Sequence, residues 1–350
     1  MQLSKRRFGV TPDGVDVDLY TLANEAGMEA DIITYGGALV RLTAPDRNGN
    51  LADVVLGYDT LDGYLSDSCY FGRLVGRVAN RIGGARLILD REEFELDRNL
   101  GRHHLHGGRG GFHSRVWTAS SIETEIGSGL ALTYESPDGE EGYPGNLAVS
   151  AVYTLTADGL RLDFSAATDR ATALNLTGHG YFNLSGRPGA NCLGHVLTIP
   201  ASRYLETDGE QIPTGRLADV AGTPLDFSDG VGIGERIGED FPPLAATHGY
   251  DHCYVLDDWN GLRLAASVFE PVAGRGMEVW TTQPCVQFYS GNHIPEGLPG
   301  KGGAVYGEWS GLCLEPQGFV DAPGHGAFPQ VTLRPGEAYK QSILYRFFVK

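Results

Sequence analysis

The chain has 350 residues, a formal net charge of -17 at pH 7 and 50 glycines. This acidic balance argues against nucleic acids and anionic membranes as partners, because both carry negative charge. No run approaches the roughly 18 apolar residues that a membrane-spanning helix needs, and the first ten residues lack the apolar segment of a secretory signal.

Runs of alternating apolar and polar residues recur along the chain, whereas long runs of helical period are hard to find. Ile32–Tyr35 ends at a pair of glycines, and Leu87–Leu89 is expected to pair with Phe94–Leu96. Residues 147–155 alternate on one face and, after a turn at 157–159, the alternation resumes, which predicts a β-hairpin. Further strands are predicted at 255–256, at 262–268 after an Asn-Gly turn within 257–261, at 277–281 and at 286–289.

Many short strands separated by glycine-rich turns predict an all-β sandwich or barrel with little helix. No linker or change of composition divides the sequence, so we expect a single domain over residues 1–350. The five cysteines are scattered and form no Cys-x-x-Cys pair, which predicts buried free thiols in a cytoplasmic protein.

His179 is the first candidate for chemistry, because it lies between Gly178 and Gly180 within an apolar, aromatic-rich stretch. The glycines are expected to let a ligand approach the backbone closely. Histidine is also well suited to move protons near neutral pH. The alternative is an ordinary core histidine in a glycine-rich turn.

Two earlier motifs supply hydrogen-bond donors. Residues 76–82 carry Arg77, Asn80 and Arg81, a good donor set for hydroxyl oxygens, although either arginine could equally form a surface ion pair. His104 and His106 are two residues apart, so on a strand they would share a face and could bind a metal. No Cys or carboxylate at ligand spacing completes such a site.

Three later motifs end or begin apolar strands with polar side chains. Asp251 precedes an apolar run, and Gln283 begins a stretch of amides and a tyrosine that suits a sugar site. Glu315 follows an apolar strand, and a partly desolvated glutamate has a raised pKa that suits a general base.

Together these motifs resemble the aldose 1-epimerase (galactose mutarotase) family over nearly the whole chain. The matching stretches are 76–82 (GRVANRI), 105–108 (LHGG) with Gly111, Phe112 and Trp117, 175–184, 249–253, 283–292 and 312–317. The resemblance implies a large antiparallel β-sandwich and the interconversion of α and β anomers of free aldohexoses such as galactose or glucose. It implies no metal and no cofactor.

The resemblance also implies residue roles. Glu315 corresponds to the family's general base, and His179 corresponds to its general acid. The residues implied to contact the sugar are Asn80, Arg81, His106, Asp251 and Gln283. The chain departs from the family's usual Asn-His-Ser at 178–180 and from its Glu-Thr-Gln at 315–317. Neither departure removes a catalytic group, so we expect them to affect the preferred sugar more than the chemistry.

This chemistry needs one base to take the proton of the C1 hydroxyl and one acid to protonate the ring oxygen. Three alternatives stay open. A hexose-6-phosphate epimerase would need a phosphate clamp, for which Arg77 and Arg81 are the candidates. A non-catalytic carbohydrate-binding module would bind sugar without turnover, and a histidine-ligated metalloenzyme would contain metal. The expected partner is a monosaccharide, with the chain a monomer or homodimer.

Overall fold

Antiparallel strands make up most of the regular secondary structure of the fold. The computed structural model describes residues 2–258 and 260–350. Within them, the first ten strands are β1 (Gln2–Val10), β2 (Asp16–Ala23), β3 (Glu29–Ile33), β4 (Leu39–Pro45), β5 (Leu51–Asp53), β6 (Leu74–Val75), β7 (Arg81–Ile82), β8 (Arg86–Leu89), β9 (Glu92–Glu95) and β10 (His104–Leu105). The next ten are β11 (Thr118–Thr124), β12 (Gly127–Ser136), β13 (Leu147–Leu155), β14 (Gly159–Thr168), β15 (Thr172–Ala173), β16 (Thr177–Gly178), β17 (Tyr181–Phe182), β18 (Val196–Thr198), β19 (Arg203–Thr207) and β20 (Pro213–Asp219).

The remaining strands are β21 (Val231–Gly232), β22 (Asp251–Val255), β23 (Arg263–Glu270), β24 (Arg275–Thr281), β25 (Cys285–Tyr289), β26 (Leu298–Pro299), β27 (Val305–Tyr306), β28 (Leu312–Gln317), β29 (Thr332–Leu333) and β30 (Tyr339–Val349). The α-helices of the described residues are α1 (Leu61–Ser66), α2 (Ile233–Arg236) and α3 (Pro242–Thr247). Within that same part of the chain, no helix has the length and apolar character needed to cross a membrane.

Three sheets contain most of the strands. The largest has the order β11-β12-β13-β14-β30-β24-β23-β18-β21, the second has the order β17-β28-β25-β22-β19-β20, and the third runs from β1 to β5 in sequence order. Side chains of β13 and β14 in the nine-stranded sheet share one core with those of β25 and β28 in the six-stranded sheet. The predicted all-β, antiparallel sandwich with little helix is confirmed.

The local predictions fare differently. The predicted hairpin is present as β13 and β14, whose register places Leu155 opposite Leu160. Leu87 pairs with Phe94 as expected. The predicted strands at 255–256 and 262–268 belong to different sheets, because β22 pairs with β25 whereas β23 pairs with β24. The turn predicted between them includes residue 259, which lies outside the described residues.

Strand β28 has two different faces. Leu312 and Leu314 point into the shared core, whereas Cys313, Glu315 and Gln317 occupy the alternate positions on the other face. That second face is still buried, because the segments around β7, β10 and β16 cover it. The fold therefore places a polar strand face under a layer of loops, and the candidate site lies between them.

Candidate active site

The floor of the site is a polar face shared by three neighbouring strands. Gln287 on β25 lies directly opposite Glu315 on β28, and Cys253 on β22 lies opposite Gln287. Asp251 occupies the same face two residues before Cys253, and its Oδ1 accepts a 2.6 Å hydrogen bond from Nε2 of Gln287. Antiparallel register thus brings together side chains that are far apart in sequence.

The opposite wall comes from β7 and the residue after β10. Arg81 pairs with Leu105 in the ladder, and its guanidinium lies 3.6 Å from the carboxylate of Asp251. Asn80 and His106 both have positive φ, 64° and 52°. The backbone N–H of Asn80 donates to Nδ1 of His106 at 3.2 Å. Neutral His106 therefore has its proton on Nε2.

His179 lies between β16 and β17, where its backbone N–H donates to the carbonyl of Arg73 at 2.8 Å. Its Nε2 lies 3.6 Å from Oε2 of Glu315, and both side chains are buried. The flanking glycines permit close packing of neighbouring side chains, and the expected close approach of a ligand stays a prediction. A Cβ on Gly178 would lie 3.2 Å from Leu162, and one on Gly180 would lie 2.9 Å from the ring of Phe182.

These walls enclose a cavity of about 230 Å³. Most of its lining is polar or aromatic, and within the described residues Arg81 is the only arginine or lysine there. Oε1 of Gln287 and Oε2 of Glu315 are buried without a hydrogen-bond partner. The described lining residues are Ser68, Cys69, Tyr70, Asn80, Arg81, Leu100, Leu105, His106, His179, Tyr181, Asp251, Gln287, Tyr289, His293 and Glu315.

Burial shifts the titration of the central pair. It raises the pKa of Glu315 well above its usual range, with the negative charge of Asp251 adding to the effect and Arg81 opposing it. Burial also lowers the pKa of His179 to about 4. Both shifts disfavour a charged side chain, so burial favours the neutral form of the pair, a protonated carboxyl group beside a neutral imidazole. Nε2 of His179 and Oε2 of Glu315 are 3.6 Å apart, too far for a direct hydrogen bond but close enough for an acid and a base to act on one small substrate.

His104 and His106, predicted as a possible metal-binding pair, do not share a site. His104 is buried away from the cavity, with Nδ1 at 2.7 Å from the carbonyl of Asp97 and Nε2 at 2.7 Å from the hydroxyl of Tyr143. Side-chain ligand atoms of His106, His179 and Glu315 do lie within 4.8 Å of one another. We assign no metal to this cluster, because a carboxyl group and an imidazole at this spacing can also serve as an acid–base pair on a bound molecule.

Six of the seven predicted site residues meet at this cavity, and the prediction for Gln283 needs correction. Gln283 precedes β25 and lies four residues before Gln287, about 13 Å along an extended strand. Its Nε2 donates instead to the hydroxyl of Tyr339 at 3.1 Å, in a separate cleft. Gln287 occupies the place that the sequence prediction gave to Gln283.

Arg77 also lies outside the cavity, although its motif is next to Asn80. Arg77 is 2% exposed, and its guanidinium donates to Oγ of Ser136 and to the carbonyls of Ser136, Pro137 and Pro144. These partners lie at the end of β12 and in the loop that follows it. Arg77 therefore holds the fold together and does not present a charge to a ligand.

The sequence analysis singled out the tyrosine of the 283–292 stretch, Tyr289, but missed Tyr70 and Tyr181 of the aromatic lining. Tyr70 has a φ of 62° and its ring contacts the rings of His106 and His179, with centroids 4.8 and 5.8 Å apart. Tyr181 stacks on His179 at 5.1 Å, and Tyr289 lies beside Tyr181. Gln287 and Tyr289 are two residues apart on one strand, so strand alternation places both side chains on the same face and could have identified them together. No sequence pattern singled out Tyr70.

Fold and site together define a class of protein. A β-sandwich carries a buried carboxyl–imidazole pair at the floor of a polar cavity sized for a small molecule. Amides, one arginine and aromatic rings surround the pair, which is the lining of an acid–base enzyme with a neutral, hydroxyl-rich substrate.

Comparison with known proteins identifies the family. Residues 18–346 match the sequence profile of the family described as aldose 1-epimerase. The galactose mutarotase of Bos taurus is 40% identical over 350 residues, covering 100% of this chain and 99% of its own. The aldose 1-epimerase of Escherichia coli is 35% identical over 346 residues, covering 97% of this chain and 98% of its own.

Solved structures agree. A galactose 1-epimerase from Lactobacillus acidophilus superposes with a TM-score of 0.86 at 27% identity, covering 99% of both chains. An aldose epimerase homologue from C. elegans gives a TM-score of 0.85 at 30% identity, covering 95% of this chain and 98% of its own. The chain belongs to the aldose 1-epimerase family. The sequence prediction of an isomerase of this family is confirmed.

Proposed function

We propose that this protein interconverts the α and β anomers of free aldohexoses, with Glu315 as general base and His179 as general acid. The observation that carries the proposal is the 3.6 Å separation of Oε2 of Glu315 from Nε2 of His179, both buried yet lining an accessible cavity. Two oxygens of an anomeric centre share one carbon, so a base and an acid this close can reach both.

The reaction starts from the charged form of the pair, in which the proton of the carboxyl group has moved to His179. With the proton on His179, the carboxylate of Glu315 takes the proton of the C1 hydroxyl while Nε2 of His179 protonates the ring oxygen. The bond from C1 to the ring oxygen breaks, and the aldehyde forms. Rotation about C1–C2 and the reverse transfers close the ring on the other face, which restores both residues. General acid and general base catalysis are each worth roughly 10²–10⁴-fold.

The remaining lining residues support binding of a neutral polyol. Arg81 and Nε2–H of His106 donate hydrogen bonds, while Asp251 accepts them. Oε1 of Gln287 lacks a partner and can accept from a sugar hydroxyl. Such hydrogen bonds are worth about 0.5–1.5 kcal/mol each, and more when one group is charged.

Galactose and glucose are the proposed substrates, since curated relatives of about 40% identity are named galactose mutarotase. The alternative of a hexose 6-phosphate has less support. Arg77 is fully engaged within the fold, and Arg81 is partnered by Asp251 and donates to Gln211 and Asn80. Among the described lining residues, this leaves no pair of free cations for a phosphate.

We further propose that the protein works in the cytoplasm on a monosaccharide. All five cysteines are buried free thiols, which agrees with a reducing compartment. A single domain spanning the chain, and assembly as a monomer or homodimer, stay predictions.

Polarimetry tests the proposal. Freshly dissolved α-D-galactose and α-D-glucose should approach the same final rotation faster with protein than without it, in a weakly catalytic buffer. Galactose 6-phosphate and glucose 6-phosphate should be accelerated much less. Sugar binding without acceleration would support the alternative of a carbohydrate-binding module. A preference for the 6-phosphates would support the alternative of a hexose-6-phosphate epimerase.

A further inference from the structure

The edge of the His179 ring that faces away from Glu315 meets a sulfur atom. Nδ1 of His179 lies 3.6 Å from Sγ of Cys313. Cys313 is two residues before Glu315 on β28, so the two side chains share one face of the strand. One strand therefore contacts both nitrogens of the imidazole, through Sγ on one side and through the carboxyl group on the other.

Aromatic stacking restricts the ring plane. Tyr70 and Tyr181 stack on His179 with interplanar angles of 27° and 25°. Turning the imidazole out of this plane would break both stacks, so the ring keeps one plane. The stacks carry no hydrogen-bond information, however, and they do not decide which nitrogen has the proton.

The contacts at the two nitrogens do decide it. Burial favours the neutral, protonated form of Glu315, and Nε2 is the ring nitrogen that faces this carboxyl group at 3.6 Å, so Nε2 is the acceptor when His179 is neutral. When His179 is the acid, both nitrogens are protonated. Nδ1 therefore carries a proton whether His179 is neutral or protonated, and the acceptor in its path is Sγ of Cys313.

We propose that Cys313 is a positioning residue for His179, accepting the Nδ1–H bond and so keeping Nε2 directed at Glu315 and the sugar. This inference rests on the proposed function for its kinetic part only. Burial raises the pKa of the Cys313 thiol well above its usual range, so the sulfur stays neutral. A neutral sulfur is a weak acceptor for the Nδ1–H bond. It orients the ring through that bond and does not hold the separate proton that Nε2 must release.

The first readout is the tautomer of His179, from ¹⁵N NMR of histidine-labelled protein with the resonances assigned by comparison with His179→Gln. The wild-type protein should show the Nδ1–H tautomer. Cys313→Ala should shift the population towards Nε2–H, whereas Cys313→Ser, which restores an acceptor, should return most of it. An unchanged Nδ1–H tautomer in Cys313→Ala would overturn the proposal.

The second readout separates kcat from KM. Cys313→Ala should lower kcat about tenfold with KM changed less than twofold, and Cys313→Ser should recover part of kcat. The matched control is Cys285→Ala, which empties an equally buried site on β25 and should change neither tautomer nor kcat. Equal losses in the control and in Cys313→Ala would also overturn the proposal. A wild-type protein with the Nδ1–H tautomer but no mutarotation would refute the proposed function alone.

Discussion

Replacing Glu315 by glutamine removes the proposed base while preserving its shape. Glu315 is 3% exposed, and Oε2 has no hydrogen-bond partner in the part of the chain that the structure describes. Glutamine is neutral, as the carboxyl group is when burial raises its pKa. We therefore expect little change in the melting temperature, because the substitution neither empties space nor buries a new charge.

The rate should fall steeply, because no neighbouring carboxylate can take over. Asp251 is the nearest candidate, yet its Oδ1 accepts from Gln287 at 2.6 Å and its Oδ2 lies 3.6 Å from Arg81. Loss of one general base costs roughly 10²–10⁴-fold, which corresponds to about 2.7–5.4 kcal/mol in the activation barrier.

Initial rates of galactose mutarotation, followed by polarimetry, measure this loss. The matched control is Glu308→Gln, the same chemical change at an exposed position outside the cavity. It should retain the wild-type rate. A Glu315→Gln protein that keeps more than about a tenth of kcat, with a normal melting temperature, would refute the assignment of Glu315 as base.

Three further predictions follow from the geometry. Arg81→Ala should raise KM for galactose about tenfold or more, because a charged hydrogen bond is lost; steady-state kinetics would contradict its placement if KM stayed unchanged. Gln287→Ala should raise KM about tenfold, whereas Gln283→Ala should change KM less than twofold. A larger effect of Gln283→Ala would support the sequence prediction that Gln283 contacts the sugar. The melting temperature should fall as pH drops from 6.5 towards 4, because burial lowers the pKa of His195 and His252 to about 4 and unfolding lets both bind protons. A melting temperature that stays constant or rises over this pH range would contradict the burial of His195 and His252.

The pH prediction has a defined size. Between a folded pKa of about 4 and the usual value near 6.5, the unfolded chain binds more protons, so stability decreases as pH falls. Each such histidine contributes up to about 1.4 kcal/mol per pH unit. His195→Gln, outside the cavity, should reduce the slope by up to one proton. Glu315 opposes this trend, because its raised pKa reduces stability as pH rises.

The sequence was sufficient for residues whose position follows from strand alternation and from motif order. Glu315 ends up on the polar face of β28 because its neighbours Leu312 and Leu314 are buried in the core. Resemblance to the family supplied the pairing of Glu315 with His179, which no local pattern in either motif contains. The antiparallel sandwich followed from short alternating strands and frequent glycines.

Other positions depend on register and on backbone angles that the sequence does not display. Gln283 and Gln287 are four residues apart, so strand alternation alone would place both side chains on the same face. Only the pairing of Gln287 with Glu315 shows which of the two reaches the cavity. Tyr70 enters the site through a positive φ in a loop, whereas Arg77 lies outside the site and donates to the carbonyls of Ser136 and Pro137. Each of these placements is decided by long-range contacts.

The most direct test of the central claim is anomer exchange at chemical equilibrium. Two-dimensional exchange NMR on equilibrated galactose should show α–β cross-peaks at the C1 proton whose rate grows in proportion to protein concentration. The same experiment with Glu315→Gln should show only the buffer rate. Exchange that wild-type protein does not accelerate for galactose or glucose, in a correctly folded sample, would contradict the account.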